Sequence, residues 1–98
     1  MSPRHFVVVH RPGPAWEAGL PLTQQVGILE HRNHWVRALD EGWLQMGGPF
    51  TDGAGGGMMV CRPDVDEDRL RAHALADPAV ESDLLQFEIR SWHVSLVA

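Results

Sequence analysis

Phe6-Val7-Val8-Val9 is apolar at four consecutive positions. Consecutive side chains of a strand point to opposite faces, so a strand with this run needs cover on both sides. Residues 5–11 (HFVVVHR) read as that strand, stopped by Pro12-Gly13-Pro14, where the chain cannot continue extended pairing. Met58-Met59-Val60-Cys61 repeats the two-faced pattern in a second place. Any fold for this chain therefore has to cover two sides of one sheet.

Between these strands the period changes. Residues 12–22 carry three prolines and two glycines and read as a connecting arm. From Gln24 to Glu41 the spacing predicts a helix, with Thr23 as N-cap and Gly42 just past the end, where a left-handed residue is wanted. Ile28, Trp35 and Leu39 fall on one side of it, and Leu29 and Val36 widen the stripe. Gly27 weakens this helix by about 1 kcal/mol relative to alanine, so packing against the sheet has to hold it. Residues 43–48 (WLQMGG) and 57–62 (GMMVCR) read as two strands of a hairpin with a glycine-rich tip. Asp64, followed three residues later by Glu67, resembles a capping box opening a second helix that runs to Ala76 and stops at Asp77-Pro78. Residues 84–95 (LLQFEIRSWHVS) form a last strand, with Leu85, Phe87 and Ile89 on one face and Gln86, Glu88 and Arg90 on the other.

The order is βαββαβ, which predicts an α+β, ferredoxin-like domain spanning residues 1–98, with two helices on one face of an antiparallel sheet. Two helices cover only one side, so the other side is expected to pack against a second copy, sheet to sheet. A chain of 98 residues buries only roughly 60–65% of its unfolded surface, which also favours a homodimer.

Charge narrows the partners. The net charge is −5, with 8 Lys plus Arg and no basic stripe, which argues against a nucleic-acid backbone as partner. Neither Phe6–Val9 nor Val94–Ala98 is long enough for a signal segment or a membrane span, so the expected setting is cytoplasmic, with no membrane partner. Cys61 is the only cysteine and lies in an apolar run, so it reads as a small core residue rather than a nucleophile.

Histidines are the residues that could carry chemistry. His31 and His34 lie one turn apart on the first helix and can approach a common region. At 100° per residue His31 falls at the border of the apolar stripe, where a side chain is shielded yet reachable, and His34 falls towards solvent. Two readings of His31 are open: a histidine packed at a helix–sheet boundary, or a base lining a pocket. A zinc site would need a third ligand from His5, His10, His73 or His93; no glutamate follows His31 and there is no cysteine pair, so no metal is expected. Asp77 is either a solvated helix terminator or a carboxylate folded back to accept the Nδ1 proton of a histidine and fix its tautomer. The run Asp52-Gly53-Ala54-Gly55-Gly56-Gly57 lacks the Gly-Lys-Ser/Thr of a phosphate loop and leads into a strand, so it reads as a hairpin tip or lid. Trp92, beside His93, is either a pocket wall for a planar ligand or a dimer contact.

His31 in its helix, Gly42, Gly48-Pro49, the glycine-rich hairpin and Ala76-Asp77-Pro78, in this order and spacing, resemble the YCII-related family over nearly the whole chain. The resemblance implies the dimeric α+β barrel form of the ferredoxin-like fold, with His31 and Asp77 as the catalytic pair. Some family members are similar to lyases that remove chloride from chlorinated hydroxyhydroquinones, and wider relatives include muconolactone isomerases and monooxygenases of aromatic compounds. The longer proline-rich arm and the additional His34 depart from the family pattern. The expectation is a small enzyme without metal or organic cofactor, acting by proton abstraction with elimination or isomerisation on a small cyclic or aromatic substrate. His31 is its base and Asp77 orients it, while His34, Gly47, Gly48, Pro49 and Trp92 contact the substrate. The alternative is a dimeric metabolite-binding or regulatory module without chemistry.

Overall fold

The computed structural model describes residues 4–98. Strand β1 (Arg4–Pro12) is followed by the proline-rich arm and a single 3-10 turn (Leu22–Gln24). Helix α1 (Ile28–Asp40), strands β2 (Leu44–Pro49) and β3 (Gly57–Cys61), helix α2 (Glu67–Leu75), a one-turn helix α3 (Pro78–Glu81) and strand β4 (Leu85–His93) complete the chain. The sheet order is β2-β3-β1-β4, and every neighbouring pair is antiparallel. This α+β arrangement of four antiparallel strands and three helices is compatible with a ferredoxin-like fold. Among the described residues no helix is long and apolar enough to cross a membrane.

The core lies between the sheet and the two longer helices. Phe6 and Val8 of β1, Met59 and Cys61 of β3 and Leu44 of β2 meet Trp35 and Ala38 of α1 and Leu70 and Ala74 of α2. A smaller cluster of Ala79, Leu84 and Leu85 sits beneath Trp16 and Ile28 and seats the end of the arm. The alternate residues turn the other way. Val7 pairs with Val60 and Val9 with Met58 on the face without helices, and Met46 and Trp92 extend that face to either side, 56% and 47% exposed.

Several boundaries differ from the sequence expectation, each for a local reason. The helix expected from Gln24 with Thr23 as cap begins instead at Ile28, with Gly27 at its N-cap in the left-handed region (φ 93°). Gln25 stays outside the helix because its side chain is engaged by the arm. Its buried amide donates to the Glu17 and Leu20 carbonyls and accepts from Glu17 N–H, pinning the arm across the helix entrance. The second helix is capped by Asp66, which accepts from Arg69 N–H at 3.0 Å, while Asp64 makes a left-handed turn (φ 70°), and the helix ends at Leu75. Asp77-Pro78 stops α2 and also starts α3, since a proline at the first helical position needs no N–H partner there. The glycine-rich hairpin is packed down onto β1 and the arm. Gly56 has φ 77°, and a Cβ on it would run into the His10 carbonyl, while one on Gly55 would meet Pro12 and Trp16.

Candidate active site

Asp77 stands at the centre of the polar residues buried against the core. Pro78 commits it to the N-cap of α3, where Oδ1 accepts from Ala79 N–H at 2.9 Å. The same geometry turns Oδ2 towards α1. His31 and Trp35 are four residues apart on that helix and so share a face. His31 Nδ1 lies 2.6 Å from Asp77 Oδ2, and Trp35 Nε1–H donates to the same oxygen at 2.9 Å. Asp77 itself is fully buried. Burial alone would push its carboxyl up, but the His31 hydrogen bond and charge, with the Trp35 and Ala79 donors, hold it below its ordinary value. An ionised carboxylate can only accept, so the proton in the short bond belongs to His31 Nδ1. In the neutral ring Nε2 then carries the lone pair, and this is the geometry of an oriented base.

His31 also lines a cleft of about 630 Å³ between α1 and the end of the β2–β3 hairpin. Ile28, Leu29, Val36 and Leu39 of α1 form one wall, and Leu44, Gly47, Gly48 and Pro49 of β2 with Met59 of β3 form the other. His31 is 12% exposed at its side chain, at the junction between buried carboxylate and open cleft. A small molecule in the cleft could reach the imidazole without reaching Asp77.

His10, which from sequence is no more than one of four possible third metal ligands, belongs to this site. It follows Phe6 and Val8 on the helix-facing side of β1, at the strand period of two. Its ring packs edge-on against His31 (centroids 4.9 Å apart) and Trp35 (5.6 Å), with Nε2 3.8 Å from Asp77 Oδ2, too far for a hydrogen bond. Neither ring nitrogen has a partner among the described residues. Burial, then the neighbouring His31, lowers its pKa to about 4 against an opposing pull from Asp77, so it is neutral at pH 7. His10, His31 and Asp77 each bring a ligand atom within 4.8 Å of the others, a set that could hold a divalent cation. Here Asp77 Oδ2 is already committed to two N–H donors.

The remaining residues singled out from the sequence divide into two groups. Gly47, Gly48 and Pro49 line the cleft. His34 does not: its ring stacks on His73 (3.9 Å between centroids), and each Nε2 bonds the other's backbone carbonyl, at 2.6 and 3.1 Å, which ties α1 to α2. Trp92 lies opposite His5 on the sheet face without helices, away from the cleft. Cys61 is buried in the core, and burial pushes its thiol up to about 11, which suits packing and not nucleophilic attack.

Neutral His10 makes the fold acid-sensitive in a defined window. Between pH 6.5 and about 4 the unfolded chain takes up a proton at this position and the folded chain does not, so stability falls as pH drops through that interval. The expected loss is on the order of 3 kcal/mol at full amplitude. His73, lowered by burial and by His34, acts in the same direction, whereas Asp77 contributes only below its ordinary value of 3.8. Urea unfolding between pH 7 and 4 should show this slope in the native protein and a shallower one in His10→Leu.

No protein-family model matches the chain, and no curated protein is similar to it at a significant level.

Proposed function

We propose that this protein is a cofactor-independent acid–base enzyme of the YCII-related kind, acting on a small cyclic or aromatic molecule by proton abstraction followed by elimination or isomerisation. The observation that carries this reading is the 2.6 Å contact between His31 Nδ1 and the buried Asp77 carboxylate at the floor of a mostly apolar cleft. The carboxylate holds the imidazole in one orientation and stabilises it when Nε2 takes a proton from a substrate carbon or hydroxyl; the same proton then returns to the leaving group or the new carbon. A positioned base of this type is worth about 10²–10⁴ in rate, enough for a proton already acidified by an enol, phenol or lactone. Gly47, Gly48 and Pro49 supply the opposite wall of the cleft.

The same reading includes a homodimer. On the helix-free face Val7 and Val60 are already buried within the chain, while half-buried Val9 and Met58 and exposed Met46 and Trp92, beside Glu88 and Arg90, leave apolar surface that a second copy packed sheet to sheet would cover. The expected solution mass at micromolar concentration is that of two chains; a mass of one chain, 10.9 kDa, overturns this part of the reading.

The catalytic reading is tested by a thermal-stability screen of native protein and His31→Ala against phenols, quinols, lactones and aromatic acids. A compound bound only by the folded state raises the melting temperature by mass action. Compounds that shift the native protein and not the variant would be taken on to turnover assays. If no compound in these classes shifts either protein, the assignment to small cyclic substrates fails.

A further inference from the structure

Arg32 interrupts an otherwise apolar helix face. Ile28, Leu29, Trp35, Val36 and Leu39 stand four and three residues before it and three, four and seven after it, so they surround it on the surface of α1. All of them line the cleft, and Arg32 lines it with them. Among the described residues no aspartate or glutamate lines that cleft. Nor does any described carboxylate lie within ion-pair distance of Arg32; among the described arginines only Arg69 and Arg71 of α2 have one, and of those without one Arg32 alone lines the cleft. In a chain of net charge −5 an arginine left without an acid, facing an apolar recess, is a fixed positive charge on the ligand side.

Resting on the reading of the cleft as a substrate site, we propose that its ligand carries a carboxylate on an apolar, ring-sized body, and that Arg32 holds that carboxylate. The guanidinium offers two parallel N–H donors that match a carboxylate in plane, and the apolar walls take the ring. His31, the preceding residue, lines the same cleft, so a molecule anchored at Arg32 lies within the recess that the base serves. The substrate class is then small aromatic or alicyclic carboxylic acids rather than neutral phenols or lactones. Arg32 acts here as a binding and specificity residue; the proton chemistry stays with His31.

The test uses 4-hydroxybenzoate and its uncharged counterpart 4-hydroxybenzamide as probes, titrated into the native protein, Arg32→Gln and Arg32→Lys, with affinity and the His31 ring signals followed by NMR. Arg32 is exposed, so neither substitution threatens folding. The acid should bind the native protein about tenfold more tightly than the amide, Arg32→Gln should abolish the difference, and Arg32→Lys should keep part of it. Equal affinities in the native protein, or a preference that survives Arg32→Gln, overturn the proposal and leave the His31 reading standing. So does a cleft that takes neutral phenols or lactones in the thermal screen and neither probe. Silence from His31 towards every compound overturns both.

Discussion

Asp77→Ala should destabilise the fold by about 3–5 kcal/mol, because it removes a fully buried acceptor that three N–H donors share, at about 1–3 kcal/mol for each donor left unpaired. Three donors lose their acceptor at once: His31 Nδ1, Trp35 Nε1 and the Ala79 amide. The last of these also uncaps α3, the turn that seats β4 through Ala79, Leu84 and Leu85. Asp77→Asn retains the shape and one acceptor, but its amide hydrogens face at least one existing N–H, so its loss should be smaller and still measurable. Urea unfolding followed by circular dichroism reads both variants. A change under about 1 kcal/mol for Asp77→Ala would mean that the carboxylate does not hold these elements together.

His31→Ala should lower turnover of an identified substrate by about 10²–10⁴, while leaving the fold close to native stability. The two effects separate because His31 is the partly exposed member of the pair: its loss opens the cleft floor to water, which can then satisfy the Asp77 oxygen. Asp77→Asn should lower turnover as well, since the ring loses the acceptor that keeps its proton on Nδ1. A His31→Ala protein that turns over substrate at the native rate would remove the imidazole from the chemistry.

The scaffold is legible in the sequence because it rests on alternation. Phe6 and Val8 against Val7 and Val9, and Met59 and Cys61 against Met58 and Val60, define two sheet faces by parity alone, and the helix-facing set is the one found in the core. Helix ends are less legible because they depend on contacts far away. Thr23 has the right chemistry for a cap, yet Gln25 is drawn into hydrogen bonds with the arm, and the helix waits for the left-handed Gly27. The second helix shows the same dependence on backbone shape: Asp64 satisfies the capping spacing, but the chain turns left-handed there and Asp66 does the capping.

The site divides along similar lines. Pro78 beside it marks Asp77 out, but the 46-residue reach from Asp77 to His31 is a tertiary fact that no local spacing contains. His34 shares a helix turn with His31 and by spacing falls towards solvent, yet it is buried, because His73 on α2 stacks with it and each ring bonds the other's backbone carbonyl. His10 is harder to pick out, since the run of apolar residues ends at Val9 and the histidine stands just beyond it. A polar residue continuing an apolar parity is the signal that marks it.

The protonation pattern of the His31 ring tests most directly whether this residue is a base oriented by Asp77. It is read from long-range ¹H–¹⁵N spectra of the uncomplexed protein at a pH where the ring is neutral. The expected result is a proton on Nδ1 and a bare Nε2, with that preference weakened or reversed in Asp77→Asn. A ring protonated on Nε2 would contradict it, because the base would then have no lone pair to offer the cleft, and so would a ring indifferent to Asp77→Asn, because Asp77 would then not set its tautomer.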